Sequence, residues 1–204
     1  MKCFKEQMEI AREVLSKLSI LSPKVVLAGG APRDWYRGLP CNDLDIYMNI
    51  PDHTTIESTR ERLGTVLGID SVKTFSEIND VSSEDLTDIY SGMSKIKRIW
   101  QFEYKGLTVQ LMDMDIDHIS PLTVIDTFQN SFCEFWFSPD SPTKLNATPA
   151  AKIVLDHNIV FITDNYKGKK HHKKMIDRFG NQLTYLDISY KKGIQYALTH
   201  KEMF

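Results

Sequence analysis

The chain has 204 residues, of which 42% are hydrophobic and 10% aromatic, and a formal net charge of −2. That is enough apolar material for one domain, or one domain with an appendage, to bury a full core, and a charge so near neutral excludes a surface built as a whole to coat nucleic acid. Three distant cysteines (Cys3, Cys41, Cys133) exclude a disulfide framework or a CxxC zinc pattern; with a charged N-terminal segment and no apolar run near the roughly 18 residues of a membrane helix, they predict a cytoplasmic protein and no membrane partner.

In chain order, Phe4, Met8, Ala11, Leu15 and Leu18 form an apolar stripe at helical spacing, ended by Ser22-Pro23. Lys24 to Ala28 predicts a short strand running into Gly29-Gly30. A helix follows over about Pro32 to Tyr36 and is closed by Gly38. Asp43 to Ile50 alternates and predicts a strand stopped by Pro51, and Thr54 to Leu67 a helix. Residues 79 to 93 are polar and acidic and predict a loop. Lys95 to Tyr104 and Leu107 to Met112 predict a hairpin turning at Lys105-Gly106. Leu122 to Phe128 predicts a helix, Phe132 to Phe137 an aromatic strand, Pro149 to Asp156 a helix, Asn158 to Thr163 a strand, and the remainder a basic helical tail. Interleaved strands and helices give an α/β (α+β) class with a mixed sheet flanked by helices. A composition change at Ser120-Pro121 divides a core, 1–120, from a smaller helical and β C-terminal appendage, 121–204, packed on it.

The stretch from Val25 to Met48 carries the chemistry. Two glycines after a strand let the backbone turn tightly and approach a ligand. The helix that follows points N–H groups back at the turn, an arrangement that binds phosphate, and Arg33 in its first turn can grip a phosphate with two hydrogen bonds. Asp43 and Asp45 share one face of the next strand, with Leu44, Ile46 and Met48 on the other. Either part alone reads as a tight turn or a solvated strand. Together they describe carboxylates facing an anion cradle, a site for a hard divalent cation held by one or two carboxylates and substrate phosphates.

These residues resemble the head domain of the DNA polymerase beta nucleotidyltransferase superfamily, and most closely the branch of CCA-adding enzymes and bacterial poly(A) polymerases. The family pattern is a strand, GGxxRD, three residues, Gly, four residues and DxD. The chain has Gly29-Gly30-Ala31-Pro32-Arg33-Asp34, then Gly38, then Asp43-Leu44-Asp45, with every gap matched. The resemblance implies that Gly29 and Gly30 hold the triphosphate of an incoming nucleotide, that Arg33 supports it, that Asp34 braces the loop, and that Asp43 and Asp45 ligate Mg²⁺ or Mn²⁺. It implies transfer of a nucleoside monophosphate to an acceptor hydroxyl with release of pyrophosphate.

Two departures qualify that expectation. The family's third carboxylate, on a later strand, aligns with Gln110, which cannot act as a base and is a poor metal ligand. Asp113 and Glu103 are the alternatives, the first requiring a bulge and the second lying on the partner strand of the hairpin. The base-reading EDxxR pattern of the family's neck is not matched by Met175-Ile176-Asp177-Arg178, so templated CCA addition is not expected. Lys167 to Lys174 is a dense basic run, read either as a solvated surface or, through Lys169, Lys170, Lys173 and Lys174, as a contact to RNA or tRNA. Its adjacent His171 and His172 lack the spacing of a zinc pair. Trp100, Phe102 and Tyr104 are read as core, and Cys133 as packing. The sequence therefore predicts a metal-dependent nucleotidyltransferase acting on a nucleoside triphosphate, with an RNA 3′ end as the favoured acceptor. The alternatives are a degenerate nucleotide-binding module, or a subunit whose RNA-binding part is another chain.

Overall fold

The computed structural model describes residues 2–79, 95–137, 145–163 and 183–190. The expected acidic loop, except its first residue, and the whole basic run with Lys169, Lys170, Lys173 and Lys174 lie outside these residues. Six helices are described: α1 (Phe4–Leu18), α2 (Gly30–Tyr36), α3 (Ile56–Leu67), α4 (Phe75–Asn79), α5 (Pro121–Ile125) and α6 (Pro149–His157). Nine strands accompany them: β1 (Val25–Ala28), β2 (Asp43–Met48), β3 (Lys73–Thr74), β4 (Ile96–Tyr104), β5 (Leu107–Met114), β6 (Phe135–Phe137), β7 (Leu145–Ala147), β8 (Ile159–Ile162) and β9 (Thr184–Asp187). Seven strands form one mixed sheet in the order β3-β4-β5-β2-β1-β6-β7, and β8 and β9 form a separate parallel pair. In the large sheet β2 and β5 run parallel and the other neighbours antiparallel. The sheet continues past Ser120-Pro121, since β6 pairs with β1.

Local chemistry explains the boundaries. The α1 stripe faces the sheet, and Ile10, Ala11, Val14, Leu15 and Leu18 are buried. Helix α2 begins at Gly30, earlier than the Pro32 start expected, because proline has no N–H to lose in a first turn. Helix α3 begins at Ile56, two residues after the expected Thr54, because Thr55 caps it by accepting the Ser58 N–H, and Gly68 ends the helix with a left-handed φ of 71°. Lys105 and Gly106 both have positive φ, as a two-residue hairpin turn requires. Phe132 to Phe137 is not one strand. Residues Ser131–Cys133 form a 3₁₀ turn before β6, and the Ser131 hydroxyl accepts the Phe161 N–H, tying that turn to β8.

The sheet buries both faces, unequally. On one, α1 and α3 cover Leu27, Leu44, Ile46, Met48, Trp100, Phe102, Tyr104, Val109 and Leu111. On the other, the α5 region covers Val26, Ala28, Tyr47, Ile99, Met112 and Met114. Along β2 and β5 this second face changes from apolar to polar toward the start of each strand: Tyr47 gives way to Asp45 and Asp43, and Met112 to Gln110 and Thr108. The candidate site is that polar end. Replacing Leu44, which has no exposed surface, by alanine should lower unfolding free energy by about 2–5 kcal/mol. Ile20→Ala, at a position 74% exposed, should change it by less than about 0.5 kcal/mol. Urea denaturation of both variants checks the contrast.

Candidate functional site

The chain leaves β1 at Gly29, whose N–H donates to the Phe135 carbonyl of β6 at 2.9 Å. Gly29 has φ 94° and ψ −127°, a conformation that a side chain strongly disfavours. A Cβ there would lie 3.7 Å from Asp45 Oδ2. The carboxylate and the glycine turn therefore face one another. By helix geometry the Gly30 and Ala31 N–H groups have no acceptor within α2, while the Arg33 N–H returns to the Gly29 carbonyl.

Arg33 and Asp34 are both buried and paired. Arg33 Nε and Nη2 each stand 3.0 Å from Asp34 Oδ1, and the guanidinium lies 5.0 Å from the centre of the Phe132 ring. The Arg33 side chain thus folds beneath the turn, onto Asp34 and Phe132. Nη2 is 3.6 Å from where a Gly30 Cβ would be. After α2, the Arg37 and Leu39 N–H groups donate to the Asp34 carbonyl and the Gly38 N–H to the Trp35 carbonyl, closing the helix before the link to β2. Cys41 in that link has its thiol pushed up to about 12, by burial first and then by the Asp34 and Asp43 carboxylates. Burial likewise pushes the Cys133 thiol up, with Asp45 and Glu134 adding to the effect and Arg33 opposing it. Neither cysteine is a thiolate nucleophile at neutral pH.

Register across three strands assembles the rest. Asp45 in β2 is paired with Gln110 in β5, and Gln110 with Gln101 in β4. Asp43 is paired with Thr108, and Thr108 with Glu103. Gln110 Nε2 donates to Gln101 Oε1 at 3.3 Å, and the Thr108 hydroxyl to Glu103 Oε1 at 2.6 Å. Two polar rows therefore cross the sheet side by side, and Gln110 stands beside Asp45. Glu103 lies on the same face as the two aspartates, with Thr108 between it and Asp43. Asp113 is not brought to them. The β2–β5 register runs unbroken from Thr108 to Asp113, with no bulge, so Asp113 is on the opposite face. There its Oδ1 accepts the Ile50 N–H at 2.9 Å and lies 3.7 Å from Lys97 Nζ.

Among the described residues no group of three or more His, Cys, Asp or Glu side chains is placed to hold a metal. The available donors are two carboxylates on one strand, with the Asp45 carboxylate turned toward the glycines. That set fits Mg²⁺ or Mn²⁺, which takes one or two protein carboxylates and completes its shell with water and phosphate oxygens. Thr108 and Gln101, in the rows beside the aspartates, and Gln7, bonded to Trp35 and Cys41, were not singled out by the sequence. Gln7 was legible as the polar member of the buried α1 stripe, three residues before Ile10 and four before Ala11.

No protein-family model and no curated protein sequence matches the chain. Solved structures do. A tRNA-processing enzyme in its apo form is 17% identical with a TM-score of 0.54, over 98% of this chain and 48% of that one. The Thermotoga maritima CCA-adding enzyme complexed with tRNA is 9% identical with a TM-score of 0.55, over 93% of this chain and 44% of that one. A CCA-adding enzyme in complex with CTP is 11% identical with a TM-score of 0.52, over 98% and 48%. The chain shares the fold of part of these tRNA-processing and CCA-adding enzymes and spans about half the length of the structures it matches. Among the described residues, no helix is long and apolar enough to cross a membrane.

The environment of Asp113 yields a pH prediction. Burial raises its carboxyl above the usual range, against the Ile50 N–H and Lys97, which pull it down. A carboxyl whose folded value exceeds its unfolded value contributes stability at low pH that is lost as pH rises through the folded value. Asp113→Asn keeps an acceptor for Ile50 without the buried charge. Its melting temperature should match wild type below roughly pH 4 and exceed it at higher pH, the difference growing until pH has passed the raised folded value. A difference independent of pH contradicts this account.

Proposed function

We propose that the chain is a metal-dependent nucleotidyltransferase, moving a nucleoside monophosphate from a nucleoside triphosphate to an acceptor hydroxyl, with an RNA 3′ end favoured. The observation that carries this is the placement of Asp43 and Asp45 on one face of β2 with the Asp45 carboxylate turned to the Gly29 turn. The triphosphate is received where Gly29 and Gly30 leave room for it, with Arg33 and Asp34 bracing that turn from beneath. Asp43 and Asp45 would hold Mg²⁺ or Mn²⁺, which would supply charge neutralisation for the phosphates. The acceptor oxygen forms a bond to the α-phosphorus in line, the bond to the bridging oxygen breaks, and pyrophosphate leaves. Catalysis by this chain is then mainly positioning and charge compensation. The acceptor hydroxyl must lose a proton, and Gln110 cannot take it. Glu103 is the carboxylate on the same face, one residue beyond Thr108.

We divide the chain functionally at Ser120-Pro121. Residues 1–120 carry the glycine turn and the aspartates, and residues 121–204 pack against them through Phe132 and β6. Lys169, Lys170, Lys173 and Lys174 supply the contact to a polyanionic acceptor, RNA or tRNA. The structural relatives captured with tRNA and CTP support a nucleotide and an RNA as partners. A second reading, a nucleotide-binding module without turnover, is supported by one observation: a neutral amide pair, Gln110 with Gln101, occupies the row beside Asp45.

Incubation with labelled nucleoside triphosphates, Mg²⁺ and total RNA tests both readings. Label in RNA supports the enzyme. Label in protein or a small molecule redirects the acceptor. Retention without transfer supports the module, and no retention overturns both. For an active protein, Asp43→Ala and Asp45→Ala should each reduce transfer by at least about a hundredfold, and the double variant should be no worse than either, because the two act as a unit. Gln110→Glu should raise the rate if the site merely lacks an acid. If Glu103 is already the base, Gln110→Glu should lower the rate and Glu103→Gln should abolish it. Rates at saturating Mg²⁺ distinguish these.

A further inference from the structure

We infer that Gln7 is a positioning residue that sets the spacing between the glycine turn and the aspartate strand, an inference that rests on the nucleotidyltransferase reading above. Gln7 lies on α1, outside the GGxxRD and DxD segments, and is wholly buried. A buried carboxamide is tolerated only when its polar atoms are bonded, and those of Gln7 are bonded to both halves of the motif at once. Its Oε1 accepts the Trp35 indole N–H at 3.1 Å and the Cys41 backbone N–H at 2.8 Å, and its Nε2 donates to the Cys41 carbonyl at 2.9 Å. Trp35 belongs to α2, the helix that opens at Gly30, and Cys41 is two residues before Asp43. The backbone bonds that close α2 end on the Asp34 and Trp35 carbonyls, and Gly38 in the link has a φ of 72°. One planar amide therefore grips the end of the link by both its N–H and its C=O while holding α2 by the indole. An apolar side chain of similar volume could fill the same space, but it could not fix the position and orientation of Cys41 relative to α2. The ligand that feels this spacing is one that touches both the turn and the aspartates, namely a metal–triphosphate. A metal ion alone touches only the aspartates, which share a rigid strand.

The test compares two ligands on wild type, Gln7→Met and Trp35→Phe, at a temperature well below each melting transition. The ligands are a non-hydrolysable nucleoside triphosphate with Mg²⁺, followed by calorimetry, and Mn²⁺ alone, followed by electron paramagnetic resonance. Gln7→Met should weaken triphosphate binding by about tenfold or more, because the two halves of the site are no longer held in register. Mn²⁺ alone should bind within about threefold of wild type. Trp35→Phe keeps the ring against Phe137 and loses one of the three bonds, so it should show the same bias with a smaller loss. The double variant should lose less than the sum of the singles. If Gln7→Met does not fold, Trp35→Phe carries the comparison. Equal losses for both ligands, or unchanged triphosphate affinity in a folded variant, overturn the inference while leaving the proposed function intact. Failure of wild type itself to bind the triphosphate overturns the functional reading and this inference with it.

Discussion

Leu44, Ile46 and Met48 are almost wholly buried beneath α1 and α3, and that burial dictates where Asp43 and Asp45 point. Strand side chains alternate strictly, so one apolar set committed to the core commits the intervening residues to the other face. A slip of one residue would bury two carboxylates and expose three large apolar side chains, which is why such a register is strongly specified. The antiparallel pairing with β1 then places Asp45 opposite Ala28, the last residue before the glycine turn, because Leu27 pairs with Ile46. The closeness of carboxylate and turn thus follows from packing on the far side of the sheet. The same alternation on β5 sends Leu107, Val109 and Leu111 to the core and Thr108 and Gln110 to the aspartates.

The glycine turn is held by a different kind of force. Arg33 and Asp34 form an ion pair with almost no exposed surface, an arrangement whose desolvation cost makes it weak as a stabiliser but strongly directional. Phe132 lies over the guanidinium, and the Gly29 N–H is tied to β6. Both contacts come from the segment after Ser120-Pro121. The turn is therefore set between the sheet and the C-terminal part of the chain, and neither alone defines it.

The sequence made the α2–β2 motif legible because glycine conformations and strand alternation are local rules. The hairpin was legible for the same reason. Its two-residue turn at Lys105-Gly106 also determines the β4–β5 register, so Gln101 opposite Gln110 and Glu103 opposite Thr108 follow from counting outward from the turn. The exclusion of Asp113 follows from alternation once no bulge interrupts β5. What no local rule could supply is the partnership of Gln7 with Trp35 and Cys41, 28 and 34 residues away, or the folding of Phe132 over Arg33. The 3₁₀ turn at Ser131–Cys133 was missed because an aromatic run favours a strand, whereas here backbone bonds to Asn130 and Ser131 close a turn whose Ser131 hydroxyl accepts the Phe161 N–H of β8.

The polar rows beside β2 bear on why two aspartates alone suit a cation. A threonine hydroxyl has one proton, and that of Thr108 is given to Glu103. Thr108 therefore offers Asp43 no hydrogen-bond donor, only lone pairs. The nearby guanidinium of Arg33 is bonded to Asp34 and lies against the Phe132 ring. Two carboxylates on one face of one strand suit a divalent ion, which takes one or two protein carboxylates. Gln110 moderates the demand: a third acid there would raise the charge to be balanced, whereas an amide leaves it at two. Under the proposed function, the arrangement suits an ion that arrives with phosphates already attached, since each phosphate oxygen supplies a ligand and negative charge that the protein then need not provide.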